Sequence, residues 1–146
     1  MREKPLILIT DDEPNIREIV KIKLEANGFE VKEAENGVEG FRIARELKPD
    51  IMLLDIVMPG MDGIEILLKL KENEKTKKIK VFLFTGEGDP RLDIVQVNRR
   101  FAMESGAVDF IRKEIDLNEL VSKLQKTIQE LKNEEEYRKK REELLN

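Results

Sequence analysis

Residues Ile51–Gly63 read IMLLDIVMPGMDG. Ile51 to Leu54 form an unbroken apolar run, the pattern of a strand buried on both faces rather than one with a solvated side. The run closes on Asp55, passes through a loop containing Pro59 and Gly60, and gives way to Ile64, Leu67 and Leu68 at helical spacing. The segment therefore reads as a buried strand that ends on a carboxylate, a turn that leaves that carboxylate accessible, and a helix.

Outward from this stretch the pattern repeats. Five short apolar runs predict strands at Pro5–Thr10, Glu30–Ala34, Asp50–Asp55, Ile79–Thr85 and Val108–Ile111. The second, EVKEA, alternates and suits an edge strand. Helical periodicity lies between them: Ile16, Ile19, Val20 and Leu24 ending at Asn27-Gly28, then Val38, Phe41 and Ala44 stopping before Pro49. Parallel strands need helical crossovers, and both sheet faces need cover. The expectation is a doubly wound α/β domain with five strands and five helices, whose ligands bind at the carboxyl ends of the strands.

Leu117, Leu120, Val121, Leu124, Ile128 and Leu131 form one apolar stripe on a final helix. Beyond Leu131 the stripe fades into NEEEYRKKREELLN, where Glu134/Arg138, Glu135/Lys139 and Glu136/Lys140 are i, i+4 pairs in the favoured order. The expected organisation is a domain over residues 1–131 and a charged helical extension over 132–146. That extension is either a solvated helix end or linker, or a protruding signalling helix or dimer contact.

Composition excludes several chemistries. The chain has 146 residues, no cysteine and no histidine, so it offers no thiolate nucleophile, no Ser-His-Asp triad and no Cys- or His-ligated zinc. A formal net charge of −4 argues against non-specific nucleic-acid binding. No apolar run approaches the ~20 residues of a membrane span, and the start MREKPLILITDDE does not read as a signal peptide. A cytoplasmic location is the expectation.

Three strand ends carry the remaining chemistry. Asp11 and Asp12 follow the first strand and Asp55 closes the third. As neighbours the three carboxylates would repel, a conflict that a divalent cation relieves; Mg²⁺ suits an all-oxygen site of this kind. Asp is also a common helix N-cap, and either member of the pair could instead cap the helix beginning near Pro14. Thr85 ends the fourth strand in FLFTGEG (Phe82–Gly88), where a hydroxyl can donate to an anion on the neighbouring carboxylate while Gly86 and Gly88 admit the backbone. Lys113, just past the fifth strand, can bring an ammonium to the same anion.

Taken together, the acidic pair Asp11-Asp12, LLDIVMPGMDG around Asp55, Thr85 and Lys113 resemble the receiver domain of two-component response regulators, from Pro5 to about Leu131. The resemblance implies a flavodoxin-like sheet in the order 2-1-3-4-5. It implies that Asp55 accepts a phosphoryl group from a phosphohistidine on a sensor histidine kinase or phosphotransfer protein. It also implies Mg²⁺ held by Asp12, Asp55 and the backbone carbonyl of Val57, with Asp11 acting directly or through water. Lys113 and Thr85 would bind phosphoryl oxygens, Phe110 would be the rotating aromatic of the switch, and Val57 and Glu87 would flank the hydrolytic water. Such a domain is a phosphoryl acceptor rather than an enzyme, apart from self-phosphorylation and autodephosphorylation. It acts on a downstream protein or output domain.

Two features depart from that pattern. Glu114 stands where the family usually has proline after the lysine, so a trans peptide and a differently aimed Lys113 are expected. Thr85 to Lys113 spans 28 positions, about six more than the resemblance implies. On one helix there, Leu92, Val95, Ala102 and Met103 share a face while Ile94, Val97 and Phe101 lie nearly opposite. The second face is a candidate contact surface, with a homodimer through residues 91–131 as one outcome; the alternative is a helix broken in its first turn.

Phosphate-loop nucleotide binding has no support, since GxxxxGK[ST] does not occur. Val57 occupies the position where an aspartyl-phosphate phosphatase would carry its second Asp, and aromatic residues for a flavin are scarce. The remaining alternative is a receiver-like interaction module that is not phosphorylated.

Overall fold

The computed structural model describes residues 2–58, 62–86, 100 and 103–146. Strands β1 (Leu6–Thr10), β2 (Glu30–Ala34), β3 (Ile51–Asp55), β4 (Lys80–Thr85) and β5 (Ala107–Arg112) make one sheet in the order β2-β1-β3-β4-β5. Every neighbouring pair is parallel. The order changes direction between β1 and β3, which puts the ends of those strands, Thr10-Asp11 and Asp55, side by side at the switch point. The strand limits agree with the sequence reading to within one residue.

Helices α1 (Pro14–Ala26), α2 (Gly37–Leu47), α3 (Gly63–Glu72) and α4 (Leu117–Leu145) cover the sheet. Period-two alternation along the strands separates the core into two layers. Leu8, Met52, Leu54, Val81 and Leu83 pack beneath α2 and α3 with Ala44, Ile66, Leu67 and Leu70. Ile7, Ile9, Ile51, Leu53, Phe82 and Phe84 pack beneath α1 and α4 with Val20, Leu24, Leu120, Val121, Leu124 and Ile128. Strands β1 and β3 are buried at every residue, and β2 alternates as an edge strand should.

Four helices are present among the described residues, not the expected five. The helix expected between β4 and β5 falls mainly on residues 87–99 and 101–102, outside the described residues. Arg100, Met103 and Glu104 have helical backbone. Two side chains read as core do not serve it: Ile19 is 52 % exposed and Val38 66 % exposed. In α1 the stripe's own Val20 and Leu24 carry the burial, and in α2 the adjacent Gly37 is buried where Val38 is not. Helix α4 keeps its stripe buried as far as Ile128, with Leu131 half-buried, and then continues unbroken to Leu145. Its last turns are held by side-chain pairs, including Lys139–Glu135 at 3.6 Å and Lys140–Glu136 at 3.3 Å. None of the helices among the described residues is long and apolar enough to cross a membrane.

Candidate functional site

Asp11 follows β1 directly and is fully buried, and Asp55 at the end of β3 is 3 % exposed. Neither oxygen set is free to drift. Asp11 Oδ1 accepts the Glu13 amide at 2.9 Å, and Asp55 Oδ1 accepts the Val57 amide at 3.1 Å. Arg17 of α1 donates to the Asp11 carbonyl at 2.6 Å, fixing the acidic turn from the helix side. Carboxylate oxygens of Asp11, Asp12 and Asp55 lie within 4.8 Å of one another, with Asp12 the exposed member.

The capping alternative for the acid pair fails. Residue Glu13 is the N-cap of α1, without a side-chain cap bond, and Pro14 opens the helix. The Asp11 carboxylate bonds a turn amide ahead of the helix rather than the helix itself. The acid that does cap a helix here is Asp62, which accepts the Ile64 amide at 2.7 Å and starts α3. Immediately after it comes Gly63, and a Cβ at that position would stand 2.5 Å from the Asp55 carbonyl oxygen. Only glycine lets the β3–α3 loop fold back this closely on the acid, and Gly63 N–H closes the loop on the Ile56 carbonyl at 2.9 Å.

Lys113 reaches into this cluster. Its Nζ lies 2.8 Å from Asp11 Oδ2, 3.2 Å from Asp55 Oδ2 and 3.4 Å from Glu13 Oε1. No peptide bond is cis among the described residues, yet the lysine is aimed at the acids. The backbone supplies the reason: Lys113 N–H donates to the Thr85 carbonyl at 2.7 Å, locking the residue to the end of β4. Gly86 borders the lysine stem, where a Cβ would make ordinary contact at 3.8 Å.

The electrostatics follow from burial. Desolvation, with the neighbouring Asp11 charge, pushes the Asp55 carboxyl up to about 7. Burial also raises Asp11, against the pull of Lys113 and the Glu13 amide. On Lys113 burial works against the charge, but Asp11 and Asp55 together outweigh it and hold its pKa above the usual lysine range. Two buried acids around one ammonium remain short of positive charge.

Thr85 is buried, and its Oγ1 has no hydrogen-bond partner among the described residues. A buried hydroxyl in that state costs about 1–3 kcal/mol, and the residue before Thr85 in β4, Phe84, pairs with Asp55 across the sheet. Alternation places Thr85 on the same sheet face as Leu83. Phe110 pairs in register with Leu83 and packs, partly buried, on that face. Gly88 and Glu87 lie outside the described residues, as do Leu92, Ile94, Val95, Val97, Phe101 and Ala102; Met103 is 37 % exposed.

Residues 7–125 match the family model described as the response regulator receiver domain. The chain belongs to that family. Among curated relatives, this receiver domain is 39 % identical over 118 residues to the phosphate regulon transcriptional regulatory protein PhoB of Pseudomonas aeruginosa, covering 81 % of this chain and 49 % of PhoB. It is 35 % identical over 120 residues to the DNA-binding dual master transcriptional regulator RpaA of Synechocystis, covering 82 % of this chain and 47 % of RpaA. The chain thus spans about half the length of the curated relatives it matches. Among solved structures, the receiver domain protein of Clostridium thermocellum aligns with a TM-score of 0.75 at 33 % identity, covering 88 % of this chain and 97 % of that one. The CheY-like receiver of Methanospirillum hungatei aligns at 0.77 and 27 %, covering 90 % and 98 %. Receiver function in two-component phosphorelay signalling follows from this membership.

Sequence reasoning missed two participants. Glu13 joins the lysine cluster and Arg17 fixes the Asp11 carbonyl, and neither was singled out from the sequence. The DDE run at the strand end was the available signal for Glu13.

Proposed function

We propose that Asp55 is the phosphoryl acceptor of this receiver, with a phosphohistidine on a sensor histidine kinase or phosphotransfer protein as donor. A carboxylate oxygen of Asp55 forms the bond to phosphorus as the bond from phosphorus to the imidazole nitrogen breaks, the electron pair remaining on that nitrogen. Lys113, already 3.2 Å from Asp55 Oδ2, moves its hydrogen bonds to the incoming phosphoryl oxygens. Thr85 contributes its buried hydroxyl, which has no hydrogen-bond partner among the described residues. Positioning and charge compensation are most of what phosphoryl transfer requires of a protein.

The donor set fits Mg²⁺: three carboxylates with oxygens within 4.8 Å, one of them exposed, and no nitrogen or sulfur ligand among them. Asp11, Asp12 and Asp55 would hold the ion together with the Val57 backbone carbonyl, whose amide already bonds Asp55. When bound, the dication supplies charge neutralisation at the phosphoryl oxygens. Every other contribution comes from the side chains named above.

Inward movement of Thr85 toward the phosphoryl group would open space on the face that Phe110 shares, altering the β4–β5 surface for a downstream protein or output domain. Residues 91–131, which include β5, are the region proposed for a homodimer contact. Hydrolysis of the phosphoaspartate would proceed past Val57 and Glu87. The observation that carries the reading is the grip of Lys113 on two buried carboxylates at the switch point. A complete acid-and-lysine cluster disfavours the non-phosphorylated module.

Incubation with Mg²⁺ and a small phosphodonor tests the proposal by intact mass. Wild type should gain one phosphoryl group and Asp55→Asn none. Equal labelling of the two proteins would refute Asp55 as the acceptor.

A further inference from the structure

At the opposite end of the sheet the amino ends of β4 and β5 border a cleft of about 950 Å³. Its walls come from the α2–β3 turn, the α3–β4 turn, the start of β5 and the extension of α4. Besides Lys77, which pairs with Glu74, the lining holds Lys48, Lys71, Lys75, Lys78, Lys80 and Arg138; among the described residues none of these six forms an ion pair, although Lys78 lies within electrostatic reach of Glu74. The acids in the same walls are largely engaged: Asp50 with the Leu6 amide and Arg2, Glu74 with Lys77, and Glu135 with Lys139. Glu134 is the fourth. A chain whose overall charge is −4 therefore gathers uncompensated positive charge into one concavity.

Lys71 is the clearest member. Its ammonium donates to the Lys77 carbonyl at 3.1 Å and to the Ile79 carbonyl at 2.8 Å. Its stem crosses Gly106, where a Cβ would stand 3.0 Å from Lys71 Cε and where φ is +110°, so glycine is required twice over. Burial, reinforced by Lys80, lowers its pKa. The helix dipole accounts for a lysine in the last turn of α3. It does not account for Lys75, Lys78 and Lys80, which lie beyond that helix.

We propose that this cleft binds a small, multiply charged oligophosphate anion. The volume falls within the range of small-ligand sites, and lysines bind phosphate oxygens as point charges. A second copy of the charged extension is a poor occupant, because residues 132–146 carry equal numbers of acidic and basic side chains. A nucleic acid backbone would meet a protein of net negative charge. Since Glu134 and Arg138 form one wall, an occupied cleft ties the α4 extension to the body of the domain.

The test is titration of the full chain with inorganic tripolyphosphate at 0.15 M salt, read by calorimetry and by amide NMR shifts, with ATP and hexaglutamate as parallel ligands. Saturable binding with shifts centred on Lys71, Lys80 and Gly106 is expected, weakened at least tenfold in Lys78→Gln/Lys80→Gln. That variant keeps the Lys71 bonds to the Lys77 and Ile79 carbonyls, and Lys71→Gln serves as the second. Equal affinity for ATP and tripolyphosphate assigns recognition to the phosphate chain alone, and tighter ATP binding adds a nucleoside; both support the site. No saturation at millimolar tripolyphosphate, shifts centred on Thr85 and Gly86, unchanged affinity in the double variant, or tighter hexaglutamate binding would each overturn it.

Discussion

Lys113, just past β5, and Lys71, in the last turn of α3, are both partly withdrawn from water, and their ammonium groups respond in opposite directions. Burial works against the charge on each. Asp11 and Asp55 reverse that effect at Lys113, whereas among the described residues Lys71 meets carbonyl oxygens and the like charge of Lys80. Desolvation alone therefore does not decide the state of a lysine; the formal charges within reach do. At the carboxyl end of the sheet the acids exceed the cation, and the site is suited to gaining positive charge. At the amino end the cations exceed the acids, and the cleft is suited to gaining negative charge.

Truncation should separate the two lysines most strongly. Lys113→Met leaves Asp11 and Asp55 buried without their shared counter-ion, and loss of one partner from a buried pair costs about 3 kcal/mol or more. Lys71→Met removes an uncompensated cation with two carbonyl bonds and should change stability by less than about 1 kcal/mol. Denaturant melts in EDTA at pH 8 would measure both. Equal losses would break the contrast. In phosphodonor assays Lys113→Met should also lose roughly a hundredfold in labelling rate, the scale of removing one charge-stabilising donor.

The carboxyl end can also be probed by removing an acid. Asp55 has a folded-state pKa of about 7, above the ordinary carboxylate value of 3.8. The folded chain thus retains a proton that the unfolded chain has released. Its stabilising contribution is complete below pH 3.8 and is lost as the pH rises through 7. Asp55→Asn does not titrate, so in EDTA it should gain on wild type by about 2–3 kcal/mol between pH 5 and pH 8. A difference that stays flat with pH would mean that the carboxyl is already ionised in the folded protein.

Added cation should relieve the same crowding. Millimolar Mg²⁺ is expected to stabilise wild type by about 1 kcal/mol as a native-state ligand. Asp12→Ala should remove most of that gain while leaving stability in EDTA almost unchanged, because Asp12 is exposed. Thermal melts with and without Mg²⁺ would decide; an undiminished Mg²⁺ effect in Asp12→Ala would place the ion elsewhere.

Much of this was legible in the sequence, for identifiable reasons. Continuous apolar runs such as LILIT and IMLLD permit few arrangements other than buried parallel strands. Once their order is set, Asp11, Asp55, Thr85 and Lys113 must meet at one edge. The aim of Lys113 was not legible, because it rests on a backbone bond to the Thr85 carbonyl that no side-chain pattern encodes. Helical periodicity overstated Ile19 and Val38, since a stripe cannot say which edge of itself the sheet covers. The basic cleft was invisible for another reason: Lys48, Lys71, Lys80 and Arg138 belong to different elements and converge only through topology.

The finest contrast concerns two hydroxyls rather than two lysines. Thr10 and Thr85 are both buried, and Oγ1 of each has no hydrogen-bond partner among the described residues. Thr10 Oγ1 faces α2, where a Cβ on Gly40 would stand 2.6 Å away, so the hydroxyl sits in a tight packing contact. Thr85 ends β4 one residue past Phe84, the partner of Asp55. Replacing either by valine removes an unsatisfied polar atom at nearly constant shape, and each variant should be unchanged or more stable by up to about 1 kcal/mol. Their behaviour under phosphorylation should differ. Thr10→Val should respond as wild type does, whereas Thr85→Val should still take up the phosphoryl group but lose the accompanying change around Phe110. Amide shifts of β5 with and without beryllofluoride would report that change, and an intact β5 response in Thr85→Val would show that the hydroxyl is an accident of packing at both ends.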